Sequence, residues 1–466
     1  MYPFSEIVGQ RGNILLVCNN NKFSKVNRQL ASGEVKWRCI KKTCTSYILT
    51  LGDGSSRCLS KYNLEHNHEA ISSSELQRQE VSGIVKRKAV EDICERPSKI
   101  LHSVIKNKNE HLKSGDVKCI KKNLYHARRK LLPAIPTSVE EVQKALSKLN
   151  PQTTRGEDFL MVNDENGKLI IFCCKTNLTF LCKSKVIYMD GTFQYCAKHF
   201  KQMFTIHGFF NGHYIPLVFC LLSDKNSNTY KLCIEKIIEH CLKLDLHFQP
   251  SRVVVDFEKA IHIAVETIWP GIELKGCRFH LAQSWWKKIQ QIGLAVEYKD
   301  SASEVGRWLR YCFGLMFLHE SEVSDCFIFD LCSIRPNDER LTRFSDYIVD
   351  TYISEDSLFP PVVWAESSSA LTYTTNACES FHSHFNNSFY SSHPSIFVFL
   401  QVLEKIQTET YIKCNSINTP YKYQNSISKK RQNFLEDKLK MYKDRKLSML
   451  DFVKIVSYQY NQSVNL

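Results

Sequence analysis

Two acids stand where strands should end. Val186-Ile187-Tyr188-Met189-Asp190 is a short apolar run that closes on a carboxylate, and Gly191 lets the backbone turn directly after it. Arg252-Val253-Val254-Val255-Asp256 repeats the pattern. An acid at the tip of a buried strand is held rigidly with its oxygens leaving the sheet end, which suits a metal or phosphate site; Asp-Gly by itself equally makes a turn. A second set of residues could bind metal in another way. Cys39 and Cys44 form C-x4-C, and after 21 intervening residues come His66 and His68 as H-x-H. Two thiolates and two imidazoles make a closed tetrahedral Zn²⁺ site, structural rather than catalytic.

The chain of 466 residues is long enough for two or three domains, and its 43% hydrophobic and 24% charged content is ordinary for a folded protein. No apolar run reaches the length of a membrane span, so no membrane is expected as a partner, and Met1-Tyr2-Pro3-Phe4-Ser5-Glu6 lacks the basic start and apolar block of a signal peptide. The 19 Cys are then expected reduced, as buried thiols or metal ligands. The net charge of +14 is uneven: residues 1–136 hold 25 basic against 12 acidic residues, and the other 330 hold 37 against 36. That points to a polyanion-binding module ahead of a neutral core, or to a solvated linker rich in Lys.

The elements that must position the Cys and His residues are small strands. Within residues 8–70, Ile14–Val17, Val35–Cys39, Ser46–Leu51 and Arg57–Ser60 read as strands, with Gly52-Asp53-Gly54 a turn. So small a unit needs a staple, which the zinc would supply. Cys58 is a spare thiol expected in the core. Leu15-Leu16, Phe23, Trp37-Arg38-Cys39, Cys44 and Glu65-His66-Asn67-His68 resemble the FLYWCH-type zinc finger over roughly residues 8–70. That resemblance implies a sheet that lays a strand edge into the DNA major groove, with Lys36, Arg38, Lys41 and Lys42 suited to phosphate contacts. Residues 71–136 read as a basic linker or arm with helical pieces. Its runs Lys86-Arg87-Lys88, Lys121-Lys122 and Arg128-Arg129-Lys130 are solvated faces, nuclear-import signals or DNA contacts, and Pro133 and Pro136 close it.

The acids need a larger scaffold. Thr137-Ser138-Val139-Glu140-Glu141 reads as a capped helix start, and residues 156–173 as a hairpin around Asp164-Glu165-Asn166-Gly167. After the Asp190 strand come two apolar runs separated by Asn211-Gly212, a strong hairpin signal, with His207 and His213 near it structural or exposed. Tyr230, Cys233, Ile234, Ile237, Ile238 and Cys241 keep a helical period ahead of the Asp256 strand, a helix from Phe257 and a strand at Ile272–Cys277. This order is similar to an RNase H-like mixed sheet, in which the first and fourth strands are neighbours, so Asp190 and Asp256 would sit side by side. Two carboxylates that close repel unless cations screen them, and a pair of Mg²⁺ about 3.5–4 Å apart meets that need. Residues 290–365 read as an α-helical insertion with Trp308, Tyr311, Phe313, Phe317, Phe327 and Phe329. Beyond it, Thr375 or Asn376 can cap a helix that carries Glu379.

Met189-Asp190-Gly191-Thr192-Phe193, Val255-Asp256-Phe257-Glu258-Lys259-Ala260, Gly276-Cys277-Arg278-Phe279-His280 and Thr375-Asn376-Ala377-Cys378-Glu379-Ser380-Phe381-His382 together resemble the Mutator-like (MULE) transposase core over residues 137–400. The resemblance implies an Asp-Asp-Glu DNA transposase. Asp190, Asp256 and Glu379 would hold Mg²⁺ or Mn²⁺, a strand of double-stranded DNA is cut at an element end, and the freed 3′-hydroxyl attacks target DNA, in a homo-oligomer in the nucleus. Cys277 and His280 belong to the family pattern either as metal contacts or as packing at a strand-to-helix turn. Glu258 and Glu366 are nearby acids without an expected role. Many relatives end in a C-x-C…H-x-H finger, whereas here Cys414 is the last Cys and residues 401–466 form a basic helical tail. The alternative expectation is therefore a domesticated DNA-binding transcriptional regulator that no longer transposes.

Overall fold

Alternating apolar and polar residues organise the N-terminal strands of the computed structural model, which describes residues 4–9, 12–30, 32–368, 376–418 and 426–461. The chain is mixed α/β and divides into two units, residues 1–135 with 388–390, and residues 136–387 with 391–466. In the first, β1 (Phe4–Val8), β2 (Ile14–Cys18), β3 (Asn21–Gln29), β4 (Val35–Cys39), β5 (Tyr47–Leu51) and β6 (Cys58–Asn63) form one antiparallel meander. Asn19 and Asn20, both at positive φ, turn β2 into β3, a conformation Asn tolerates at little cost. The inward side chains make a small core of Leu16, Cys18, Phe23, Trp37, Cys39, Cys44 and Ile48. Trp37 satisfies its indole N–H on Thr50 Oγ1 at 2.9 Å. The sequence reading lacked β1 and β3 because β3 is polar apart from Phe23 and Val26. Cys58, expected in the core, is exposed: β6 is an edge strand whose first residue faces outward.

Residues 73–131 form three packed helices, α1 (Ser73–Glu91), α2 (Pro97–Ile105) and α3 (Ser114–Leu131), with a core of Val81, Val85, Ala89, Ile100, Leu101, Val104, Ile120 and Leu124. Ser72 caps α1 by accepting from Glu75 N–H. Within the expected basic run, Arg128 is buried. It donates to the carbonyls of Ala89, Asp92 and Glu95, which satisfies the open C-terminal end of α1.

The second unit begins with α4 (Val139–Leu149), capped by Ser138, and the hairpin β7 (Leu160–Asp164) and β8 (Leu169–Phe172), followed by α5 (Lys175–Lys183). Next come β9 (Val186–Thr192), β10 (Gln202–Phe210), β11 (His213–Leu222), α6 (Ser227–Leu242), β12 (Arg252–Val255), α7 (Lys259–Ile268), β13 (Glu273–Gly276) and α8 (Arg278–Gln291). The strands order as β13-β12-β9-β10-β11-β8-β7. β12 pairs parallel with both β9 and β13, and the β9–β10–β11 meander is antiparallel. Asn211 and Gly212 make the β10–β11 turn, both at positive φ. Ile187, Met189, Val253 and Val255 face a core shared with α5, α6 and α7. The alternate residues Tyr188 and Val254 face the other side, against Cys277 and Cys378.

After α8 the chain is helical: α9 (Ala295–Lys299), α10 (Glu304–Cys312), α11 (Val323–Asp325), α12 (Glu339–Ile348), α13 (Pro361–Trp364), α14 (Asn376–Asn387), α15 (Ile396–Ser416), α16 (Ser426–Lys443) and α17 (Met449–Asn461). Trp285, Trp308, Phe313, Phe327, Phe344 and Trp364 build a second core, which Leu435, Phe452, Val453 and Val456 of the basic tail complete. The contact is close at Gly314, where an added Cβ would lie 2.2 Å from the Val453 carbonyl oxygen. Gly314→Ala is therefore expected to destabilise the second unit by about 1–3 kcal/mol, read as a lower denaturant midpoint. An unchanged midpoint would contradict the docking of α17. Among the described residues no helix is long and apolar enough to cross a membrane.

Candidate functional site

The parallel pairing of β9 with β12 brings the two acids together. Val254 pairs with Tyr188, so the same register two residues on sets Asp256 abreast of Asp190, on strands about 4.8 Å apart. Asp190, two residues on from Tyr188 in β9, shares its face, and Asp256 directly follows the last residue of β12. β9 continues two residues past Asp190 to Thr192, so this acid lies inside the strand rather than at its tip. Asp190 is buried, whereas the Asp256 side chain is about half exposed (46%), giving one anchored carboxylate and one that solvent or substrate can reach.

Each acid has a histidine. The Gly191 N–H donates to Asp190 Oδ1 at 2.8 Å. Asp190 Oδ2 is buried, makes no hydrogen bond, and lies 3.3 Å from His382 Nδ1. His382 Nε2 is 3.1 Å from the Thr205 hydroxyl, which in turn lies 3.0 Å from His207 Nε2 and donates to the Asp190 carbonyl. Burial holds His207 well below the ordinary histidine range, and the nearby His382 and Lys413 push it the same way. Asp256 Oδ1 accepts from the Phe257 N–H at 2.6 Å and sits 3.5 Å from His280 Nδ1. A buried carboxylate oxygen with no hydrogen bond and only a histidine nitrogen beside it is the kind of atom a cation satisfies, so Asp190 and Asp256 are the residues that would hold a divalent ion.

The helix α14 covers this face. Its Cys378 packs with Tyr188 and Val254, and its His382 reaches Asp190. Glu379 follows Cys378 on the same helix; its side chain, and the proposed cap at Thr375, lie outside the described residues. Sequence reasoning passed over His382, although its place three residues after Glu379 was a usable signal, since that spacing puts two side chains on one face of a helix. Cys277 is fully buried in the apolar cluster with Cys378, at the start of α8. Glu258 and Glu366 are engaged elsewhere. Glu258 accepts from the Tyr230 hydroxyl and Lys225, and Glu366 pairs with the Arg252 guanidinium at 3.2 and 3.4 Å.

In the first unit Cys39, Cys44, His66 and His68 converge, with all four ligand atoms within 4.8 Å of one another. Cys39 Sγ lies 3.2 Å from His68 Nε2, Cys44 Sγ 3.3 Å from His66 Nδ1, and the two imidazole nitrogens 3.2 Å apart. Those separations suit the edges of a tetrahedron around one Zn²⁺. His68 turns its other nitrogen to the Glu69 carbonyl at 2.9 Å, which fixes the ring with Nε2 inward. Burial raises the Cys39 thiol. Burial also opposes ionisation of Cys44, but hydrogen bonds from Ser46, Asn67 and His66 outweigh it and bring that thiol down to about 6. Beside the cluster, Lys36, Arg38, Lys41 and Lys42 line one concave surface with Ser24 and Val26. Lys36 and Arg38 share a face of β4 because the residue between them, Trp37, is turned into the core.

Residues 186–284 match the family model of the MULE transposase domain. The match opens at β9 and ends within α8, so it contains Asp190, Asp256, Cys277 and His280 and supports a MULE transposase and a DNA-related function. No curated protein matches the chain.

Proposed function

We propose that the chain is an Asp-Asp-Glu DNA transposase of the Mutator-like type, with an RNase H-like core and an N-terminal FLYWCH-type zinc module that grips DNA. The observation that carries this reading is the pairing of β9 with β12, which sets Asp190 and Asp256 abreast on the face that α14, the helix of Glu379, covers. Asp190, Asp256 and Glu379 would hold Mg²⁺ or Mn²⁺; when bound, such ions lower the pKa of water and neutralise charge developing at phosphorus.

The chain itself supplies position. Asp190 is fixed by the Gly191 amide and by burial, so its free oxygen costs little reorganisation when a cation arrives. Asp256 stands at the open end of the sheet, where a DNA strand can approach. His382 orients Asp190 from the covered side, and His280 lies beside Asp256. Cys39, Cys44, His66 and His68 hold a structural Zn²⁺, and Lys36, Arg38, Lys41 and Lys42 contact phosphates. Two ends must be handled together in transposition, so the protein acts as a homo-oligomer on double-stranded DNA, in the nucleus.

The test uses the genomic DNA that flanks the coding sequence. The purified chain with Mg²⁺ or Mn²⁺ is expected to nick those ends, leave a 3′-hydroxyl and join it to a plasmid, with chelator blocking both steps. Binding to the ends without cleavage in either metal would contradict the transposase reading and leave a DNA-binding regulator.

A further inference from the structure

We propose that the outward face of α3 is a second DNA-backbone surface, separate from the strand face beside the zinc cluster; this rests on the reading of the chain as a DNA-binding protein. Asp116, Ile120, Leu124 and Arg128 are the buried residues of α3, and their four-residue spacing fixes which side faces the neighbouring helices. The opposite side carries Lys118, Lys121, Lys122, Tyr125, His126 and Arg129, all exposed, which line one shallow surface. No acid occurs on α3 after Asp116, and Asp116 is itself consumed by the Ser74 hydroxyl, Arg78 and the Lys113 N–H.

Four fixed positive charges and a histidine thus lie on a twelve-residue stretch of rigid helix whose ends are about 17 Å apart. A duplex presents about ten phosphates over that length. The chemistry matches a phosphate backbone better than a protein partner. The face has no aliphatic anchor, and its one large apolar group, Tyr125, is 47% exposed and ends in a hydroxyl that can donate to phosphate. Lysines on flexible stems meet phosphates as point charges without reading base sequence. The surface therefore supplies affinity and register, not sequence choice. Arg128, buried against α1, stays out of it.

The test compares full-length protein with a variant carrying Lys118→Gln, Lys121→Gln, Lys122→Gln and Arg129→Gln. Glutamine keeps helix propensity and removes only charge. Circular dichroism and zinc content check that the variant folds, and a Lys118→Arg, Lys121→Arg, Lys122→Arg variant restores charge as a control. Duplex binding is measured from 0.05 to 0.3 M salt. The four-Gln variant is expected to lose on the order of a hundredfold in affinity at 0.15 M, and the slope of log affinity against log salt to flatten by about 3 to 4, while the Arg variant binds as the parent does. Unchanged affinity and slope in a folded four-Gln variant would overturn the α3 surface and leave the DNA reading intact. A parent protein that binds no duplex would overturn both. A clear preference of the parent for RNA of equal length, lost in the four-Gln variant, would overturn the assignment of the partner.

Discussion

Asp190→Asn is expected to abolish strand cleavage while folding and DNA binding persist. Asparagine keeps the size of the side chain and can still accept from the Gly191 N–H. It removes the charge from Oδ2, the buried oxygen that has no hydrogen bond and faces His382 at 3.3 Å. Loss of a metal-holding carboxylate costs several kcal/mol of transition-state stabilisation, on the order of a thousandfold or more in rate. Asp256→Asn and Glu379→Gln should behave alike. Glu258→Gln and Glu366→Gln are the controls. Their carboxylates are occupied by Tyr230 with Lys225 and by Arg252, so cleavage should stay within a few-fold and any loss should appear in stability instead. Cleavage retained by Asp190→Asn, or lost in Glu366→Gln with the fold intact, would reverse the assignment.

Removing zinc should have the other large effect. The core cluster of β1–β6 holds seven buried residues, two of which are Cys39 and Cys44 themselves. Without metal, the close approach of two thiols and two imidazoles contributes little, whereas a bound Zn²⁺ in such small domains supplies about 10–16 kcal/mol. Strong chelator, or Cys39→Ser, is therefore expected to remove the hydrogen-exchange protection of residues 14–63 and to abolish DNA binding, with the sheet of β7–β13 still protected. Because the Cys44 thiol lies at about 6, below its unfolded value, its contribution is present above the unfolded pKa and is lost as pH falls through about 6. One zinc per chain that survives Cys39→Ser with protection intact would contradict the site.

Much of this was legible in the sequence for identifiable reasons. The two strand-plus-Asp runs, the Asn211-Gly212 turn and the helical period of Tyr230 to Cys241 are local signals, and the structure carries β9, the β10–β11 hairpin, α6 and β12 where those signals lie. The Cys and His spacing was legible too, and the structure brings those four side chains together. What the sequence hid depends on distant contacts. The place of His382 three residues after Glu379 is a local signal, but its meeting with Asp190 depends on α14 packing on Tyr188 and Val254, which is a distant contact. The tail read only as a basic helix, but Phe452, Val453 and Val456 bury against the helical insertion, with a close approach at Gly314 that no local pattern marks. Cys58 was misplaced because apolar character alone does not say which face of an edge strand a residue takes.

Asp190 and Asp256 are proposed to share one divalent-cation site. Crystals soaked in Mn²⁺ and measured at the manganese absorption edge test it directly. Anomalous density ligated by both Asp190 and Asp256, and absent from Asp190→Asn crystals, is the predicted result. Manganese held by Glu258 or Glu366, or none near Asp190, would contradict it.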